Sequence, residues 1–151
     1  MTTLASRLAQ PDLVGLPDWW AAELLNAPDL ALPRRRVDTS TSDVRGALLA
    51  SGEWPGIVIA AEAGSGAPLA VRALCVLVRD TLTLTHTIQT SLPARYAATV
   101  AALDGLLAAE LIAQATHDAL IALADAPQSW AQANGVAVDA RAVGIARGGV
   151  A

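Results

Sequence analysis

The side chains best able to do chemistry are few and stand apart. His86 and His117 are widely separated, and neither has a second ligand type three or four positions away; the one acidic neighbour is Asp118, next to His117. A metal site built on a helix presents its ligands on one face, typically as His at i and i+4, so no metal is expected. Cys75 is the single cysteine and falls among Leu74, Val76 and Leu77. Burial there raises a thiol pKa and hides the sulfur, so it reads as a core residue, and with one cysteine there is neither an internal disulfide nor a cysteine-based zinc framework. Ser65 lies between Gly64 and Gly66 without the strand-turn-helix setting of a nucleophile elbow, and the glycine pair is too short for a dinucleotide fingerprint. The ten aspartates and four glutamates are scattered singly. Asp38 and Asp43 flank a polar run, but the spacing and terminal glutamate of a calcium-binding EF-hand are absent, and helix capping accounts for Ser40 with Asp43. No catalytic, metal-binding or cofactor-binding residue is expected, and the chain reads as a non-enzyme.

Composition narrows the choice further. The ten basic residues are all arginine, there is no lysine and no phenylalanine, and alanine supplies 34 of 151 positions. Without lysine there is no Schiff-base chemistry and no phosphate-binding GxxxxGK[ST] loop. A net charge of −4 and the lack of a basic segment argue against general nucleic-acid binding. Mean hydropathy is high, at +0.44, yet the longest stretch free of acids and arginines, Thr81 to Ala94, is threonine-rich and well short of the ~20 apolar residues of a membrane span. The N-terminal segment carries Arg7 with no apolar run behind it, so no secretory signal is expected.

Two features point to partners instead. Arg34, Arg35 and Arg36 form the one charge run; three guanidinium groups could grip phosphate, lipopolysaccharide or an acidic protein surface, or serve as a solvated connector paired with nearby acids. Trp19 and Trp20 are adjacent on a predicted helix and cannot both face the same way, which places at least one near the surface. Tryptophan is enriched among interface anchors, so the Trp19/Trp20 helix is expected to dock a partner chain, with Trp54 and the Arg34–Arg36 connector as further candidate contacts.

The elements that must carry these residues are helices punctuated by Pro and Gly. Helices are predicted over Thr2–Ala9, from Pro17 to about Asn26, over Thr41–Ser51, through Ile57–Ala63 and over Pro68–Asp80. Three more follow: one opened by Pro93, one containing His117, Leu120 and Ile121, and a last one around Ala140–Arg147 started by Asp139 and ended by Gly148. Leu69, Val71, Leu74, Cys75, Leu77 and Val78 cover most of the circumference of the Pro68–Asp80 helix, the pattern of a central helix. Thr81 to Thr90 alternates with a period of two and reads literally as extended, although no second strong strand is evident to pair with it; helix continuation or a loop lying on the core compete. The expected fold is all-α, a compact bundle of about seven short helices in one domain spanning 1–151, with 81–90 as the candidate extended exception.

Several segments resemble a known group. Leu103-Asp104-Gly105-Leu106, the run Asp118 to Ala124, Ser129 to Gly135, Asp43-Val44-Arg45 and Gly52-Glu53-Trp54 together resemble small helical proteins encoded among the structural genes of tailed bacteriophages and prophages. In one place the chain departs from that pattern: Ala113 stands near where a Ser or Thr usually starts the helix of Asp118–Ala124. The resemblance brings no functional residues with it. It implies a virion component of tail, baseplate or capsid, present in many copies and acting by contact with other phage structural proteins, without nucleic acid or a membrane span. The alternative is a cytoplasmic helical adaptor or assembly chaperone.

Overall fold

The computed structural model describes residues 2–148. Among them are α1 (Leu4–Leu8), α2 (Asp18–Asn26), α3 (Thr41–Ala50), α4 (Trp54–Ala61), α5 (Leu69–Leu84), α6 (Pro93–Ala108), α7 (Gln114–Ala122), α8 (Trp130–Asn134) and α9 (Ala140–Ala146). The chain divides into two compact units: a terminal unit of Met1–Arg35 with Pro127–Ala151, and an inner unit of Arg36–Ala126. Each has its own apolar core.

In the terminal unit the core is Leu8, Leu13, Ala21, Ala22, Leu25, Trp130, Ala131, Val138 and Val143. Alanines on the inner face of α2 let α9 approach closely. A Cβ added at Gly144 of α9 would lie 3.0 Å from the Asp18 carboxylate of α2. Arg147 then ties the ends together, its guanidinium donating to the Leu16 carbonyl and to Asp18, both at 2.6 Å, and to the Leu13 carbonyl at 2.8 Å. Pro28–Asp29 pairs antiparallel with Gln128–Ser129. Ser129 at once starts α8, whose capping box has Ser129 Oγ accepting from Gln132 N–H and Gln132 Oε1 accepting from Ser129 N–H. Gly135 ends α8 with a φ of 66°, the left-handed conformation that glycine adopts at no steric cost. No helix is predicted here from the sequence. The helix is so short that its hydrophobic period is invisible, and its cap is the better signal.

The inner unit is built around α5, which packs against α3, α4 and α6, with α7 closing on α3 and α6. Val44, Leu48, Ile57, Cys75, Leu82, Leu103, Leu106 and Leu120 are among its buried residues. Gly105 lets α6 come close to α5, since a Cβ there would fall 2.7 Å from a Leu74 methyl. Helix α5 is the central helix of this unit, as its pattern predicts, but part of its apolar circumference is open: Leu69 is 72% exposed and Leu77 60%. Three neighbouring helices do not encircle a helix, and the remaining arc stays in water.

The fold is mostly helical but not strictly all-α, because short antiparallel pairs join the helices. Thr39 pairs with Ile88 and Ser40 with Thr87, so the alternating segment does have a partner, located far upstream. Both readings of 81–90 hold in part: α5 continues to Leu84, and the chain turns extended at Thr85. The pairing also displaces the predicted cap of α3. Ser40 makes no side-chain cap but shares a hydrogen bond with the Ser42 hydroxyl at 2.8 Å, while Thr41 donates through Oγ1 to the Thr85 carbonyl at 2.7 Å. Beneath the strand pair, Thr90 donates to the Val37 carbonyl and accepts from Thr39 at 2.8 Å. Among the described residues, no helix is long and apolar enough to cross a membrane.

The helix start at Ala113 is rescued from outside its own segment. Glu53, just before α4, accepts the Ala113 N–H on Oε1 at 2.7 Å and the Ser51 hydroxyl on Oε2 at 2.8 Å. Burial pushes the Glu53 carboxyl up, but hydrogen bonds from Ala113, Ser51 and Thr116 outweigh it and hold the group below its ordinary value. A carboxylate at a helix N-terminus also meets the positive end of the helix dipole. Glu53→Ala should therefore lower unfolding stability at neutral pH by about 0.5–2 kcal/mol, the usual cost of losing an N-cap. A depressed carboxylate stabilises above its unfolded pKa, and the contribution is lost as pH falls through its folded pKa. The gap between wild type and Glu53→Ala in denaturant titrations should close accordingly as pH falls below the ordinary glutamate value of about 4.3; equal stabilities at pH 7 would refute the capping role.

Candidate protein-docking surface

Helix α2 places its residues against the usual order of hydrophobicity and size. Ala21, Ala22 and Leu25 are buried, whereas Trp19 is 62% exposed, Trp20 46% and Leu24 45%. Trp20 and Leu24 are four residues apart and share a face. Trp19 joins them because the two indoles stack, with ring centroids 6.1 Å apart and planes inclined by 16°. Adjacent residues on a helix point about 100° apart, and the sequence reading allowed one of the pair to be buried. Both are outside, because the inward arc is already filled by alanines that set the spacing to α9. The stacked pair with Leu24 makes an apolar patch, and such patches on a polar exterior mark interaction sites.

The arginine run separates into different environments. Arg34 and Arg35 are exposed residues of the terminal unit. Arg36 belongs to the inner unit, where it pairs with Asp125 at 2.9 Å and lies over the Tyr96 ring, 3.5 Å from its centroid. Its charge is thus satisfied within the chain by an acid and a cation–π contact. Trp54 opens α4 half-buried and packs against the inner core. Of the residues singled out from sequence, then, Trp19 and Trp20 are brought together, Arg34 and Arg35 stay open to solvent, and Arg36 and Trp54 have partners in the inner unit.

One cluster of titratable groups escaped the sequence reading. The His117 side chain, only 10% exposed, sets Nε2 2.9 Å from Asp104 Oδ1 and Nδ1 3.0 Å from Asp118 Oδ1, and Gln114 donates to Asp118 at 2.8 Å. Carboxylates only accept, so an imidazole protonated on both nitrogens satisfies both partners. The hydrogen bond to Asp118 and then that to Asp104 raise the His117 pKa, against the opposing effect of burial; Asp118 is correspondingly held low, first by His117 and then by Gln114. With both ring nitrogens engaged, His117 braces α7 against α6. Asp118 was visible beside His117 in the sequence; Asp104 enters only through the packing of α6 on α7. Cys75 is buried, its thiol pushed up by desolvation, and Ser65 donates to the Ala60 carbonyl within its turn. Asp38 accepts from both the backbone N–H and the hydroxyl of Ser91. Among the described residues no group of three His, Cys, Asp or Glu side chains is arranged to hold a metal ion.

No family model, no curated protein sequence and no solved structure matches this chain.

Two outcomes are expected. Trp19→Ala and Trp20→Ala should each change unfolding stability by less than about 1 kcal/mol, in the range of exposed positions, whereas Leu25→Ala on the opposite face should cost about 2–5 kcal/mol; tryptophan variants as damaging as Leu25→Ala would show the patch to be structural. His117, with its raised pKa, stabilises fully below the unfolded value of about 6.5, and that contribution fades as pH rises through the folded pKa. Melting temperatures measured from about pH 6 to pH 9 should fall in wild type and stay flatter in His117→Gln.

Proposed function

We propose that this chain is a non-enzymatic structural component of a tailed-phage particle, present in several copies and working through contacts with other phage structural proteins. The observation that carries this reading is the stacked Trp19/Trp20 pair with Leu24, large apolar groups held outside a helix whose inner face is alanine. A free chain gains nothing from that arrangement, since burying a large side chain is worth about 1.5–3 kcal/mol. An interface does gain, because aromatic anchors dominate the energy of docking. The open guanidinium groups of Arg34 and Arg35 are further polar contacts for a partner. The phage setting is supported by the resemblance of the segments around Asp43, Gly52, Leu103, Asp118 and Ser129 to helical proteins encoded among phage structural genes.

Mass spectrometry of purified particles should detect the chain, and a folded Trp19→Ala/Trp20→Ala double variant should be depleted from them. A chain found in lysate complexes but never in finished particles would instead identify an assembly adaptor, and one found in neither would sink both readings.

A further inference from the structure

The inner unit contains a cavity of about 220 Å³ that opens partly to solvent. Its wall is nearly all apolar: Leu77 of α5 and Leu120 of α7 face Ala98 and Ala102 of α6. The alanines leave the space unfilled. An apolar cavity of about 150 Å³ takes up a small hydrocarbon, so this larger, partly open one has room for an apolar body. Unfilled volume also costs stability, which an occupant would recover.

Two further lining residues define what that occupant carries. Arg95 and Tyr96, in the first turn of α6, belong to the wall. The neighbouring Arg36, over the Tyr96 ring, is already neutralised by Asp125 at 2.9 Å. Arg95 differs: its guanidinium has no ion pair and no hydrogen bond among the described residues. One unpaired cation at an otherwise apolar, half-enclosed cavity selects a ligand with a hydrocarbon tail and one anionic end. We propose that this cavity binds a free medium-chain carboxylate, its tail between α5, α6 and α7 and its head on Arg95. The proposal is independent of the docking role of α2.

Decanoate, below its micellar concentration, is the probe. Calorimetry should give saturable binding, and a ligand concentration about tenfold above Kd should raise Tm by about 3–6 °C. In nuclear magnetic resonance spectra the perturbed signals should be those of Tyr96, Ala98, Thr99 and Leu120. Arg95→Gln, an exposed change that leaves the core intact, should weaken decanoate binding about tenfold, the worth of one charge-assisted hydrogen bond, and bring it level with decanol. Ala98→Leu should reduce binding of both compounds by narrowing the space. The proposal is overturned by no saturable binding, by equal affinity of wild type for decanoate and decanol, by full affinity in Arg95→Gln, or by perturbed signals lying elsewhere, including on the Trp19/Trp20 patch.

Discussion

Small side chains on the inward faces of the helices are the constraint from which the rest of this structure follows. With Ala21 and Ala22 inside α2, and Gly144 of α9 set against Asp18, the helix axes of the terminal unit come close together. In the inner unit Gly105 does the same for α6 and α5. Helices packed this tightly leave little room for large groups between them. Tryptophan and leucine side chains on the same helices are thereby pushed outward, and the high mean hydropathy of the chain shows up partly as exposed apolar surface. Where alanines face a space wider than themselves, as Ala98 and Ala102 of α6 do, the same economy of volume leaves a cavity.

Alanine buries little area, so cores of this kind contribute less per residue than leucine-rich ones. Polar ties between elements supply part of what the cores do not. Glu53 caps α7 from the start of α4, the Thr39–Thr90 pair secures the strand ladder under α3, His117 clips α6 to α7, and Arg147 holds three groups around the start of α2. Where the tied group is buried, as at Thr39 and Thr90, the tie satisfies a group that would otherwise be left without a partner. His117, Glu53 and Thr90 are held in these structural roles. The open surface includes the Trp19/Trp20 pair and the guanidinium groups of Arg34 and Arg35.

Much of the fold was legible because local rules act on local sequence. Asp139 caps α9 as expected, Pro93 starts α6, and the run Ile57-Val58-Ile59 is helical rather than extended. The failures share one cause. The Ser40 cap, the strand partner of Thr87–Ile88 and the carboxylate that starts α7 each depend on a residue far away in the chain. Periodicity over a short window contains no information about such partners. Helix α8 is the exception, since its Ser129/Gln132 capping box was readable in the sequence and only its brevity concealed it.

For the candidate site, residue types alone marked Trp19 and Trp20 as candidate anchors and gave structural readings for Cys75, Ser65 and the single carboxylates. Composition likewise determined a helical, lysine-free, alanine-rich chain. Tertiary structure decided that both tryptophans face outward and stack, that Arg36 is spent on Asp125 and Tyr96 while Arg95 is not, and that a cavity lies beside α6. The physical reason is that exposure, pairing and empty volume belong to the space between elements, and that space is set by how closely small side chains let the helices approach.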